Sequence, residues 1–234
     1  KDMEVDRNTL VWFTSDNGGL PKINPSTTGG LRDYKGSLYE GGIRVPSIIE
    51  WPSKIKTGRI SKYPSGSVDI FPTIADIAGI QKSAMLNPID GVSLTPLFNS
   101  KISKRKKPLF FSSRGRMAII DNDWKMISQP KDTGRKIELY NLLTDSTEST
   151  NEFRPKHPQV INLRKILVES RKSIEKSING KDYPSGSVLP QPPRIFWTQI
   201  PEYKKFCKEV IIPVTFPLEY VKNSQDQKRY NYFS

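Results

Sequence analysis

The stretch Asn8 to Gly19, NTLVWFTSDNGG, decides the fold. Leu10, Val11, Trp12 and Phe13 are consecutive apolar residues, too few for a helix and rich in β-formers, which predicts a strand buried on both faces of a parallel sheet. The run ends in Ser15-Asp16-Asn17-Gly18-Gly19. Ligand crevices of open α/β sheets lie at the carboxyl ends of strands, so polar side chains at this point are placed for chemistry. Asp16 and Asn17 offer a carboxylate and an amide oxygen on adjacent residues, donors that suit a hard cation such as calcium. Calcium takes roughly six to eight oxygens, and Asp-Asn-Gly-Gly is also an ordinary turn sequence, so on these residues alone both readings stand.

Downstream, residues 20–37 carry Gly, Pro, Ser and Thr with little periodicity and read as a long loop, a feature more often functional than idle in a compact domain. Within Lys35-Gly36-Ser37-Leu38-Tyr39-Glu40-Gly41-Gly42-Ile43-Arg44-Val45-Pro46, the glycine after Lys35 leaves room for its ammonium to approach an anion closely. Glu40 and Arg44 are expected to pair while the glycines turn the chain into a second buried strand over Val45–Trp51. Asp69 offers an N-cap to a helix with Pro72 in its first turn and an apolar stripe of Ile70, Phe71, Ile74, Ile77 and Ala78, ending at Gly79.

After the basic run Lys104-Arg105-Lys106-Lys107 the period changes. Leu109–Ser112, Met117–Asp121, Trp124–Ser128 and Ile137–Asn141 are short strands between polar turns, an antiparallel sheet by pattern. Val160, Leu163, Leu167, Ile174 and Ile178 then recur at helical spacing up to Asn179-Gly180. These elements predict a small α+β unit over residues 106–180 beside a first domain over residues 1–105. Residues 181–234, rich in Pro and aromatics, read as an extended segment. The hexapeptide YPSGSV occurs at Tyr63–Val68 and again at Tyr183–Val188, and is read as shared turn chemistry without functional weight.

Hydrophobic residues at 35% and charged residues at 26% of the 234 give the balance of a folded chain and exclude a disordered one. No apolar run approaches the roughly 18 residues that span a bilayer, and the charged opening Lys1 to Asn8 does not resemble a secretion signal. Cys207 and His157, one residue of each kind, cannot build a zinc site of the usual ligand count and read as structural, His157 at the surface. The net charge of +13 is uneven: 11 Lys/Arg against 10 Asp/Glu in residues 1–98, 18 against 9 in 99–180, and 8 against 5 in 181–234. The excess therefore avoids the amino-terminal part. Lys104–Lys107 reads either as a solvated linker or as a docking point for an anionic polymer. No nucleic-acid fold or interleaved aromatic-basic pattern is present, so nucleic acid is not an expected partner.

Taken together, Asn8–Gly19 and Leu31–Pro46 resemble the second half of a formylglycine-dependent sulfatase of the alkaline-phosphatase-like superfamily. Ser67–Thr73, Asp90–Leu94, Asp123–Lys125 and Glu138–Leu142 fit the same resemblance, which covers roughly residues 8 to 155. It implies an α/β fold: the carboxy-terminal part of a mixed or parallel sheet domain, then the small antiparallel-sheet-plus-helix subdomain. It further implies that Asp16 and Asn17 are two ligands of one calcium ion and that Lys35 contacts the sulfate of the substrate and acts in catalysis. Sulfated carbohydrate is the expected substrate class, with aryl sulfates as assay substrates, and the location is extracellular, periplasmic or lysosomal.

The family's Cys/Ser-x-Pro-x-Arg run, the source of formylglycine, does not occur in this chain: Cys207 is followed by Lys208-Glu209-Val210. The resemblance therefore places the nucleophile and the remaining calcium ligands upstream, and the expectation is that these 234 residues alone are inactive and expose apolar surface along Leu10 to Phe13. Two other readings stay open: a phosphate or phosphonate ester hydrolase of the same superfamily, and a degenerate, non-catalytic binder of sulfated polymers.

Overall fold

The computed structural model describes residues 5–85, 87–99, 102–131, 134–182 and 200–202. The chain divides into two units, Lys1–Ser173 and Ile174–Ser234. Cys207, the second YPSGSV and most of the extended segment over 181–234 lie outside the described residues.

The first unit opens with β1 (Val11–Thr14) and β2 (Ser47–Glu50), both foreseen, but they pair with each other antiparallel rather than entering a parallel sheet. Phe13 stands opposite Ile48, and Val11, Phe13 and Ile48 are each more than half exposed. The expected burial on both faces is thus not realised, whereas the expected apolar exposure along Leu10 to Phe13 is met at Val11 and Phe13. Consecutive apolar residues record that both faces are suited to burial; they carry no information on strand direction or on which segment does the covering.

A short helix α1 (Glu40–Ile43) links the loop after β1 to β2. Helix α2 (Ile70–Ile77) forms where predicted and stops at Gly79, whose φ of +68° suits the left-handed C-terminal turn. Asp69 departs from its predicted part. Its side chain does not cap α2; it is fully buried and takes two hydrogen bonds from the Arg105 guanidinium, at 2.8 and 2.9 Å. One member of the basic run is therefore spent inside the protein, which removes Arg105 from any polymer-docking surface and leaves Lys104 and Lys106 exposed. Helix α3 (Pro96–Asn99) is a single turn.

The four predicted carboxy-terminal strands form an antiparallel meander, β3 (Leu109–Ser113), β4 (Arg116–Asp121), β5 (Trp124–Lys131) and β6 (Gly134–Asn141), in that spatial order. Alternation divides the sheet cleanly between two faces. On one, Met117, Ile119, Met126 and Leu139 pack against Val160, Leu163 and Leu167 of α4 (Pro158–Ile178). Burying each such side chain contributes about 1.5–3 kcal/mol, so this layer is the main core. His157, half-buried, lies with its ring 5.1 Å from that of Trp124 and accepts the Gln159 N–H at the start of α4, a structural part as expected. The opposite sheet face meets the segment around α1, where Leu38, Ala118, Ile127 and Tyr140 form a second cluster. The sheet is thus a middle layer between α4 and the loop that carries Lys35.

Asp145 organises the bend after β6. Its carboxylate accepts the N–H groups of Ser149 and Thr150 and the hydroxyls of Thr147 and Ser149. Slight burial opposes ionisation, but these four donors outweigh it and hold the Asp145 pKa down to about 2. Because the folded value lies below the unfolded one of about 3.9, the stability this bend contributes is present above pH ~4 and is lost as pH falls toward 2. A carboxyl-carbon NMR titration should place the Asp145 inflection near pH 2; an inflection near 4 would show that the four bonds do not persist in solution.

Candidate active site

Main-chain contacts build the site. The turn after β1 and the loop before α1 interlock: Gly18 N–H donates to Gly42 O at 2.9 Å, Lys35 N–H to Gly19 O at 2.9 Å, and Gly41 N–H to Arg32 O at 2.8 Å. Glycine is required at this contact, since a Cβ on Gly18 would lie 1.9 Å from Gly41 O and one on Gly41 would lie 2.1 Å from Asp33 O. Gly18 and Gly41, from two of the three glycine pairs of the sequence, thus allow backbones to touch.

The result is an open cavity of about 680 Å³ at the carboxyl end of β1, lined by Asp16, Asn17 and Lys35 together with Thr27, Thr28 and Arg44. All three residues singled out from the sequence border the same space. Asp16 and Lys35 are exposed and Asn17 is half-buried, so both charged groups face solvent in this chain. Arg44, read from the sequence as the structural partner of Glu40, also lines the cavity; its guanidinium lies 3.6 Å from the Glu40 carboxylate, a loose pair. Nothing in the run Glu-Gly-Gly-Ile-Arg signalled that Arg44 faces the cavity.

Asp16 and Asn17 supply hard oxygen donors, the ligand chemistry of calcium, and so fit that ion in kind while providing two of the roughly six to eight ligands it takes. Among the described residues, no three His, Cys, Asp or Glu side chains gather to hold a metal ion.

The loop carrying Lys35 is fastened to the sheet beneath it. Arg116, near the β3–β4 turn, donates to Gly36 O at 2.7 Å. Arg32 donates to the Tyr140 hydroxyl at 2.9 Å and to Glu148 O at 2.7 Å, with its guanidinium 3.8 Å from the centre of the Tyr39 ring. The hydroxyls of Tyr39 and Tyr140 donate to Glu138 at 2.6 and 2.9 Å. Burial opposes ionisation of Glu138, but Lys136 and the two hydroxyls keep its pKa below the usual carboxylate value. Burial and the adjacent Glu138 charge in turn push Tyr39 up to about 12.

The family model described as Sulfatase matches residues 1–80, the region that contains the whole cavity. Over that region the chain is similar to sulfatases. It is 33% identical over 164 residues to a sulfatase of Formosa agariphila, covering 63% of this chain and 29% of that protein. It is 28% identical over 195 residues to the N-acetylgalactosamine-6-O-sulfatase of Bacteroides thetaiotaomicron, covering 73% of this chain and 38% of the relative. The solved structure of BT4656 in complex with its substrate D-glucosamine-2-N,6-O-disulfate superposes with a TM-score of 0.55 at 24% identity, over 78% of this chain and 37% of that one. The chain therefore shares the α/β fold of that structure, as expected, and spans less than two fifths of the length of these proteins. Among its described residues, no helix is long and apolar enough to cross a membrane.

Proposed function

We propose that the protein containing this chain hydrolyses sulfate esters of carbohydrates at the cavity bordered by Asp16, Asn17 and Lys35. The observation that carries the reading is the sharing of one cavity by an oxygen-donor pair and an ammonium, tied to each other through the Lys35 N–H bond to Gly19 O. Asp16 and Asn17 would hold a calcium ion, which supplies charge stabilisation to an anionic group when bound. Lys35 would orient the sulfate and stabilise the negative charge that moves to the leaving oxygen as the S–O bond opens. Its flexible stem and compact charge suit a tetrahedral anion, and Gly36, with a φ of +89°, keeps a side chain off the adjoining backbone. The nucleophile, a formylglycine, and the remaining metal ligands would come from sequence outside these 234 residues, so the chain by itself is expected to be inactive.

A sulfated sugar is favoured as substrate by the sulfated ligand of BT4656 and by the similarity to the N-acetylgalactosamine-6-O-sulfatase of Bacteroides thetaiotaomicron. The same family resemblance supports an extracellular, periplasmic or lysosomal location.

In the intact protein, Lys35→Met is expected to lower kcat/KM for a sulfated monosaccharide by about 10²-fold, and Asp16→Asn to weaken calcium binding. Metal analysis separates this reading from phosphoryl transfer: one calcium per chain supports the sulfatase, and two transition-metal ions would overturn it. A Lys35→Met protein that cleaves sulfate esters at the parent rate would remove Lys35 from the chemistry.

A further inference from the structure

Beneath α1 lies an ion group that no part of the proposed chemistry uses. Lys125, on β5, is fully buried, with its ammonium 2.9 Å from Glu40 Oε1 and 2.8 Å from Glu148 Oε1. Glu148 Oε2 in turn accepts the main-chain N–H of Glu40 at 2.6 Å. Glu40 is thus gripped twice, by side chain and by backbone, at the first residue of α1. Glu148 reaches this position from a bend where its own φ is +54°, an unfavourable conformation for a residue with a Cβ. Burial raises the Glu148 pKa, and Lys125 acts against that rise.

Such an arrangement is costly for stability alone. Desolvating an ammonium and two carboxylates opposes folding before their attraction offsets it, and an apolar residue at position 125 would pack beside the Ile127 and Tyr140 cluster without that cost. What the charges supply is direction, because an ammonium between two carboxylates fixes Glu40 in one place. Two residues beyond Glu40, Gly42 O receives the Gly18 N–H, and Gly18 directly follows Asp16-Asn17. Gly19 O then receives the Lys35 N–H. A continuous path of short polar contacts runs from the sheet interior to both halves of the cavity.

We propose that Lys125 is a positioning residue for the cavity: without touching it, Lys125 anchors Glu40 and so fixes the Asp16-Asn17 turn relative to Lys35. The inference rests on the proposed function only for its catalytic consequence; the positional claim is independent and is tested first.

The test is amide hydrogen exchange on the intact protein, comparing the parent with Glu40→Gln, which keeps side-chain size and leaves Lys125 its Glu148 partner. A second protein carries Lys125→Met with Glu148→Gln, which avoids a lone buried carboxylate at position 148. In Glu40→Gln the Gly18 and Lys35 amides should exchange about tenfold faster or more, while those of Ile119 and Met126, paired within the sheet, keep parent rates. The double variant should repeat the pattern. Uniform acceleration of all four amides, or no change at Gly18 and Lys35, would overturn the proposal and leave the ion group a stability element. Should the selective pattern appear while Lys35→Met hydrolyses sulfate esters normally, Lys125 still positions the turn and the functional reading of the cavity falls instead.

Discussion

Gly18→Ala in the intact protein is expected to reduce sulfate-ester hydrolysis by about 10³-fold or more, with secondary structure retained. The reason is steric and local. The added Cβ would sit 1.9 Å from Gly41 O and 2.8 Å from Gly41 C, both backbone atoms that no side-chain rotation can move aside. Relief requires the Asp16-Asn17 turn and α1 to separate by more than about 1 Å, a displacement that by itself costs about 10²-fold in a catalytic geometry. Separation also breaks the Gly18 bond to Gly42 O, which keeps the oxygen-donor pair in register with Lys35. Calcium binding should weaken in parallel, since Asp16 and Asn17, the proposed ligands, move together. Gly18 is not a member of the sheet and α4 core, so far-ultraviolet circular dichroism should be close to that of the parent. A Gly18→Ala enzyme with parent kcat/KM would mean that the interlocked backbones are unrelated to catalysis.

The chain shows which physical signals a sequence transmits. The β3–β6 meander and α4 were legible because each is half-buried: alternation along the strands and the Val160, Leu163, Leu167 stripe are direct records of one covered face. The apolar run of β1 was legible as a strand but not in its partner, since consecutive Leu10 to Phe13 encode two buriable faces and no direction. Asp16, Asn17 and Lys35 were joined by the family resemblance of the two motifs that contain them, and the structure brings them to one cavity.

What escaped was long-range charge. Lys125, Glu40 and Glu148 are separated by up to 108 residues, and Glu148 sits in a Ser/Thr-rich bend with no periodicity to mark it. Glu40 was assigned to Arg44 on its i,i+4 spacing, the nearest partner a linear reading offers, yet its closer partner is Lys125, at 2.9 against 3.6 Å. Arg105 was hidden by its neighbours, because composition does not reveal which of four adjacent cations turns inward.

That inward turn yields the largest expected stability effect. Asp69→Ala should destabilise the protein by about 3–5 kcal/mol, read as a lower denaturation midpoint at unchanged slope. Each Asp69 oxygen has two donors: Oδ1 accepts from Val92 N–H and Arg105, Oδ2 from Gly66 N–H and Arg105, all between 2.8 and 2.9 Å. Removing the carboxylate strands two backbone N–H groups and, more costly, a guanidinium with no solvent exposure. Arg105 has other bonds, to the Lys107 and Pro64 carbonyls, but neither carries a full compensating charge. The double replacement Asp69→Leu with Arg105→Met removes both buried ions and should cost less than either the sum of the single effects or Asp69→Ala alone. Costs that add would locate the stability in the two backbone donors and not in the ion pair; Asp69→Ala at under ~1 kcal/mol would show that water reaches Arg105, and that the Gly66, Val92 and Arg105 segments are not clamped at this carboxylate.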